Sequence, residues 1–158
     1  MQPAVTRTTS RILILISLLA LAGLAVSSVS LYHHYDTSPS SYCTFGENFN
    51  CDIVNRSIYS VVLGVPVALI GIIGYLTLLS LATLYRTKAE TPLMLLIASL
   101  CGLAFALYLT YIEAFVLAVW CILCLSSLGI VLAITVTSLL LVRHTVTSVA
   151  TSSESSQS

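Results

Sequence analysis

Ala114-Phe115-Val116-Leu117-Ala118-Val119-Trp120-Cys121-Ile122-Leu123-Cys124 opens a run, residues 114–142, in which no residue is charged. A helix over its later part, from about Cys121 onward, covers the roughly 30 Å of hydrocarbon in a bilayer, so the run holds a membrane span. Its C-x-x-C puts two thiols on one helix face, close enough to alternate between dithiol and disulfide, and it does so beside lipid. A soluble thioredoxin-like domain would carry such a pair near a βαβ pattern, and this sequence has none. Redox thiols at a lipid boundary point to a lipid-soluble electron partner.

Composition agrees. The 158 residues are 58% apolar and only 8% charged, too few charges to cover a globular surface with water-facing groups. Net charge is zero, so nothing suggests a nucleic-acid partner. Four of the five cysteines fall in two close pairs, Cys43/Cys51 and Cys121/Cys124, which suggests disulfide or metal chemistry.

Working outward from the C-x-x-C, residues 93–112 read as the preceding span, started by Thr91-Pro92 and ended by Glu113. With no turn signal between Glu113 and Trp120, these two helices should form a tight hairpin, with Cys121 in the first turn of the second. Residues 57–85 carry no charge, and as one helix they would measure about 43 Å and overshoot the membrane. Gly64-Val65-Pro66 offers the break. Residues 52–63 then read as a short interfacial helix and 66–85 as a span, with Gly71 and Gly74 allowing close approach of another helix. Residues 32–56 hold most of the polar groups and the pair Cys43/Cys51, and Pro39, Gly46, Asn48 and Asn50 mark them as loop. Residues 12–31 are uncharged and follow Arg7 and Arg11, which suits a first span and also a signal peptide. The Ser- and Thr-rich end reads as disordered.

The expected fold is an all-α membrane protein: a four-transmembrane-helix bundle with an outer cysteine loop and a short interfacial helix. Residues 1–11 form the N-terminal segment, 12–142 the catalytic domain with its outer loop at 32–65, and 143–158 a disordered tail. Four spans put Arg7, Arg11, Arg86, Lys88 and Arg143 on one side, with only Arg56 opposed. The positive-inside rule then places both termini in the cytoplasm and all four paired cysteines at the outer face of the cell membrane, where disulfides persist.

A helix N-terminus favours thiolate at Cys121 and Cys124, while burial in lipid opposes it. Other readings stand beside a redox pair: permanently closed disulfides, a zinc site made by the four cysteines, and haem binding through His33 and His34, which otherwise read as hydrated residues at the membrane edge. Cys101 reads as packing, and Tyr108 and Tyr111 as an aromatic belt. Glu113, at the outer helix end, reads as an interfacial anchor or as a proton donor.

Together these features resemble the vitamin K epoxide reductase family over residues 12–142. The resemblance rests on the loop pair Cys43 and Cys51, Ser57 soon after it, Gly64-Val65-Pro66 through Gly71 and Gly74-Tyr75, Tyr108 and Tyr111, and Cys121/Cys124 at the start of the last span. It implies a two-electron relay. A reduced thioredoxin-like thiol protein would form a mixed disulfide with Cys43, Cys51 would pass the electrons to Cys121, and Cys124 would face a quinone held among the helices. Ser57, Val67 and Leu128 fall at positions implied to surround that quinone, although Ser57 reads equally as an N-cap. Vertebrate members hold the ring with an asparagine and a tyrosine where this chain has Val67 and Leu128, neither of which can donate a hydrogen bond. The chain is therefore more similar to microbial members that regenerate disulfides with a respiratory quinone of the menaquinone or ubiquinone type. A non-enzymatic scaffold with structural disulfides or zinc is the alternative.

Overall fold

The computed structural model describes residues 3–36, 44–45, 49–84, 88 and 90–155. Cys43 and most of the charged turn at 86–90 lie outside them. The chain begins with α1 (Pro3–Tyr35), which starts earlier than the expected span because proline is tolerated in a first helical turn. A two-stranded ribbon follows, β1 (Thr44–Phe45) with β2 (Phe49–Asn50), leading into a short helix α2 (Cys51–Asn55).

Residues 52–63 do not form the single interfacial helix expected of them. After α2 come a 3-10 turn (Ile58–Ser60) and a hairpin of β3 (Val61–Val62) and β4 (Val65–Pro66). Leu63 and Gly64 make the hairpin turn with φ of 52° and 82°, the left-handed pair that two-residue hairpins require. The flanking valines are β-branched and suit the ribbon better than a helix. Then α3 (Val67–Thr83) begins directly after Pro66, close to where the sequence puts it.

Helix α4 (Thr91–Ile112) has its proline in the first turn and passes into a π-helical turn (Glu113–Leu117). Ala118, left-handed at φ 51°, ends that turn, and its N–H returns to the Glu113 carbonyl. Helix α5 (Ile122–Ser155) does not stop at Arg143 and His144 but continues through much of the expected disordered tail. The hydroxyls of Thr145, Thr147 and Ser148 bond the carbonyls four residues back, so they do not compete for the helix amides.

Three helical stretches, Arg7–Tyr35, Thr91–Leu117 and Ile122–Ser148, are long and apolar enough to cross a membrane. Helix α3 is equally apolar but has 17 residues, about 26 Å of rise. Helix α1 lies against α3 and α5, and α4 lies against α5 and α3. Their shared core is Leu13, Ile16 and Ala20 of α1, Tyr75, Leu78 and Ala82 of α3, Leu95 of α4, and Ile134 and Leu141 of α5. Outside it, leucines and isoleucines such as Leu18, Ile73, Ile97 and Leu132 point outward, as lipid-facing residues must. Several hydroxyls within the spans bond carbonyls of their own helices, as Ser17 does to Leu13 and Thr135 to Val131, which satisfies their donors without water.

Small residues set the helix spacing. A Cβ on Gly71 would come within 2.8 Å of Ser27 Oγ, so α1 and α3 touch there as expected. Gly74 has open space where its Cβ would be, and the second close approach is instead at Gly23, against the ring of Tyr75.

Candidate functional site

The site starts where the loop meets the last helix. Asn50 is the N-cap of α2, its Oδ1 accepting from the amides of Asp52 at 3.1 Å and Ile53 at 3.2 Å. That fixes Cys51 as the first residue of α2. On its other side Asn50 donates its own N–H to the carbonyl of Trp120 at 3.1 Å, and Phe49 bridges to Trp120 in parallel fashion. The residue before each cysteine is thus stitched to the other strand. Cys51 and Cys121 end up in one buried cluster with Val54, walled by Leu117, Val119 and Leu123. Cys51 is disulfide-bonded, whereas Cys121 and Cys124 are free thiols.

Cys121 is the N-cap of α5, one residue ahead of the first-turn position expected for it. Its carbonyl accepts the Leu125 amide at 3.0 Å, and its sulfur accepts from the amides of Leu123 and Cys124. The Cys124 thiol donates to the same sulfur.

Cys124, unlike Cys121, also lines a cavity of about 360 Å³. Its walls come from α1, α3, α4 and α5 and are mostly apolar, with Val26, Ile70, Phe105, Leu109 and Val131 contributing. Ser57 and Val67 line it, but Leu128 does not; the neighbouring Ser127 does. The Ser57 hydroxyl is turned to the carbonyl of Val54 at 2.9 Å, and it makes no side-chain cap for the 3-10 turn. Ser127 holds Tyr75, whose hydroxyl bonds the Ser127 carbonyl at 3.0 Å and its Oγ at 2.8 Å, tying α3 to α5.

One end of the cavity is polar and is organised by Asn55, a residue not singled out above. Asn55 is 7% exposed. Its Oδ1 accepts from Ser30 Oγ at 2.9 Å and its carbonyl takes His34 Nδ1–H at 2.6 Å, so α1 clamps α2 from both sides. The Nδ2 of Asn55 is buried with no hydrogen-bond partner among the described residues, and Asn55 is one of the residues that line the cavity. The only signal in the sequence was its spacing: four positions after Cys51, Asn55 shares a helix face with it. His33, read as a hydrated edge residue, is 2% exposed, and His34 serves as the clamp on Asn55.

Glu113 is the larger correction to its reading as an interfacial anchor, being 1% exposed. The π turn swings it inward, where Oε2 accepts the Cys121 amide at 3.0 Å and the carboxyl neighbours the Cys124 thiol. Cys101 is free and also borders the cavity.

A buried thiol pair at a helix N-terminus, apposed to a disulfide on its polar side and to an apolar cavity on the other, defines a membrane thiol–disulfide oxidoreductase. The model of the vitamin K epoxide reductase family matches residues 14–139, and the chain belongs to that family. Its members are membrane oxidoreductases generally linked to quinones.

Proposed function

We propose that this protein oxidises the thiols of a thioredoxin-like partner and passes the two electrons to a membrane quinone, so supporting disulfide bond formation. The observation that carries the reading is the position of the C-x-x-C: Cys121 shares a dry cluster with Cys51, and Cys124 borders the cavity. In the first step a partner dithiol reduces a Cys43–Cys51 disulfide through a mixed disulfide at Cys43. Cys51 then attacks the sulfur of Cys121 in a Cys121–Cys124 disulfide, releasing Cys124, and Cys43 resolves the mixed bond. The outcome is a closed loop pair and two free thiols at Cys121 and Cys124, a state supported by the disulfide-bonded Cys51 beside free Cys121 and Cys124. In the last step those thiols close to a disulfide while the quinone takes two electrons and two protons.

The cavity suits such an acceptor. Its volume falls within the roughly 300–1,000 Å³ of small-molecule sites, and its apolar walls match a ring with an isoprenoid tail. Asn55 Nδ2, buried and unpaired among the described residues, supplies the donor to a ring oxygen that Val67 and Leu128 lack. We also take α3 as the fourth crossing, with both termini cytoplasmic and the loop pair outside, because five of the six basic side chains then share one face.

Stopped-flow absorbance of the purified protein with a dithiol and a menaquinone or ubiquinone analogue tests the reading. Quinol should form with the wild type and not with Cys124→Ser; full quinone reduction by that variant would refute the assignment. Labelling of Cys43 from the cytoplasmic side alone would invert the orientation.

A further inference from the structure

The carboxyl of Glu113 is more than the relay just described requires. One oxygen, Oε2, caps the Cys121 amide, a task any short acceptor could perform. The other, Oε1, is buried and has no hydrogen-bond partner among the described residues. The side chain lines the cavity that Cys124 lines and touches the Cys124 thiol, and among the described residues no lysine or arginine lines that cavity with it. A bare carboxyl in a dry site is costly, and carboxyls at membrane depth are commonly on proton paths. His34, the other titratable group at the polar end, has its Nδ1 committed to the Asn55 carbonyl.

We propose that Glu113 carries a proton from the Cys124 thiol to the quinone oxygen. This rests on the quinone reading above. The carboxylate takes the Cys124 proton, freeing that sulfur to add to the ring. Cys121, giving up its own proton to water, then attacks the Cys124 sulfur; the sulfur–ring bond breaks, the S–S bond forms and both electrons stay on the ring. The neutral Glu113 returns its proton to one ring oxygen, and the second oxygen takes a proton from water. Two thiols and a quinone thus become a disulfide and a quinol, with Glu113 unchanged. Within hydrogen-bond reach of a reacting sulfur, Glu113 is a catalytic residue rather than a cap.

Glu113→Gln keeps the shape and an acceptor for the Cys121 amide but cannot shuttle a proton, and Glu113→Asp keeps the acid. In single-turnover reactions of pre-reduced protein with a ubiquinone or menaquinone analogue, Glu113→Gln should be about 100-fold slower, the low end of acid–base contributions, and Glu113→Asp should recover part of the loss. Transfer from the loop pair to the C-x-x-C, followed by thiol trapping without quinone, should be slowed about tenfold or less, because there Glu113 serves only the departing Cys124 sulfur. Infrared difference spectra of quinone-free protein, reduced against diamide-oxidised, should contain a carboxyl C=O change that Glu113→Gln lacks. Wild-type quinone reduction by Glu113→Gln, or an equal slowing of both transfers, would reduce Glu113 to a cap and overturn the proposal while leaving the relay intact. If the wild-type protein reduces no quinone, the relay itself falls and the proposal with it.

Discussion

Replacing Gly23 with alanine should loosen the bundle at a single identifiable contact. The new Cβ would lie 2.2 Å from Tyr75 Cε1, and the ring must retreat by about 1.2 Å to reach ordinary contact at 3.4 Å. Tyr75 is buried and its hydroxyl is held by Ser127 at 3.0 and 2.8 Å, so a retreat of that size breaks both bonds between α3 and α5. Overpacking costs about 1–3 kcal/mol and an interhelical hydrogen bond in a membrane about 0.6–1.7 kcal/mol, giving roughly 2–4 kcal/mol for Gly23→Ala. Tyr75→Phe, which loses only the hydroxyl, should cost about 1 kcal/mol. Thermal unfolding in detergent reads both, and the melting temperature should fall several times further for Gly23→Ala than for Tyr75→Phe. A double-mutant cycle isolates the contact: in a Tyr75→Ala background, Gly23→Ala should cost almost nothing. An equal penalty with and without the ring would refute the account, because the clash would then lie elsewhere.

Three other outcomes follow from the site. Joint replacement of Cys43 and Cys124 by alanine leaves Cys51 and Cys121 in one cluster, so mild oxidation should join them, as read by mass spectrometry after blocking Cys101; an absence of the bond would contradict their apposition. Asn55→Leu removes the unpaired donor while keeping volume, and should raise KM for the quinone about tenfold, the worth of a well-made hydrogen bond, with kcat little changed. Gly64→Val forces a β-branched residue into φ 82° and should destabilise the hairpin by about 1–3 kcal/mol, seen as a lower melting temperature, whereas Leu63→Gly should be neutral or stabilising.

The parts of this structure legible in the sequence are those written in long-range periodicity. Uncharged runs of span length and the punctuation of Pro66 and Pro92 place α3 and α4 nearly to the residue. The spacing of Cys51 from the C-x-x-C is legible as chemistry, though the backbone bond from Asn50 to Trp120 that realises it is not, since parallel pairing across so many residues leaves no local mark. Glu113 was misjudged for a related reason. A regular helix would leave it at the rim, and only the π turn with left-handed Ala118 carries it inward, a backbone choice that no residue type there demands. Residues 57–66 misled because an uninterrupted apolar run does not distinguish helix from ribbon, and Leu63 is an unexpected residue to adopt positive φ. Asn55 was passed over as one polar residue among many in a loop; its importance comes from Ser30 and His34 on a helix more than 20 positions away.

The stitch between Phe49–Asn50 and Trp120 has a consequence for leakage. Two thiol groups held against each other inside a protein react as if each were present at a concentration no dissolved small molecule reaches. Free low-molecular-weight thiols in the surrounding medium would therefore lose any race for the inner pair, which is also walled off from water. In the relay proposed above, such reductants would drain the lipid-borne electron carrier only by first entering through Cys43 and Cys51, so the stitch would act as a valve that favours reductants able to dock at that pair.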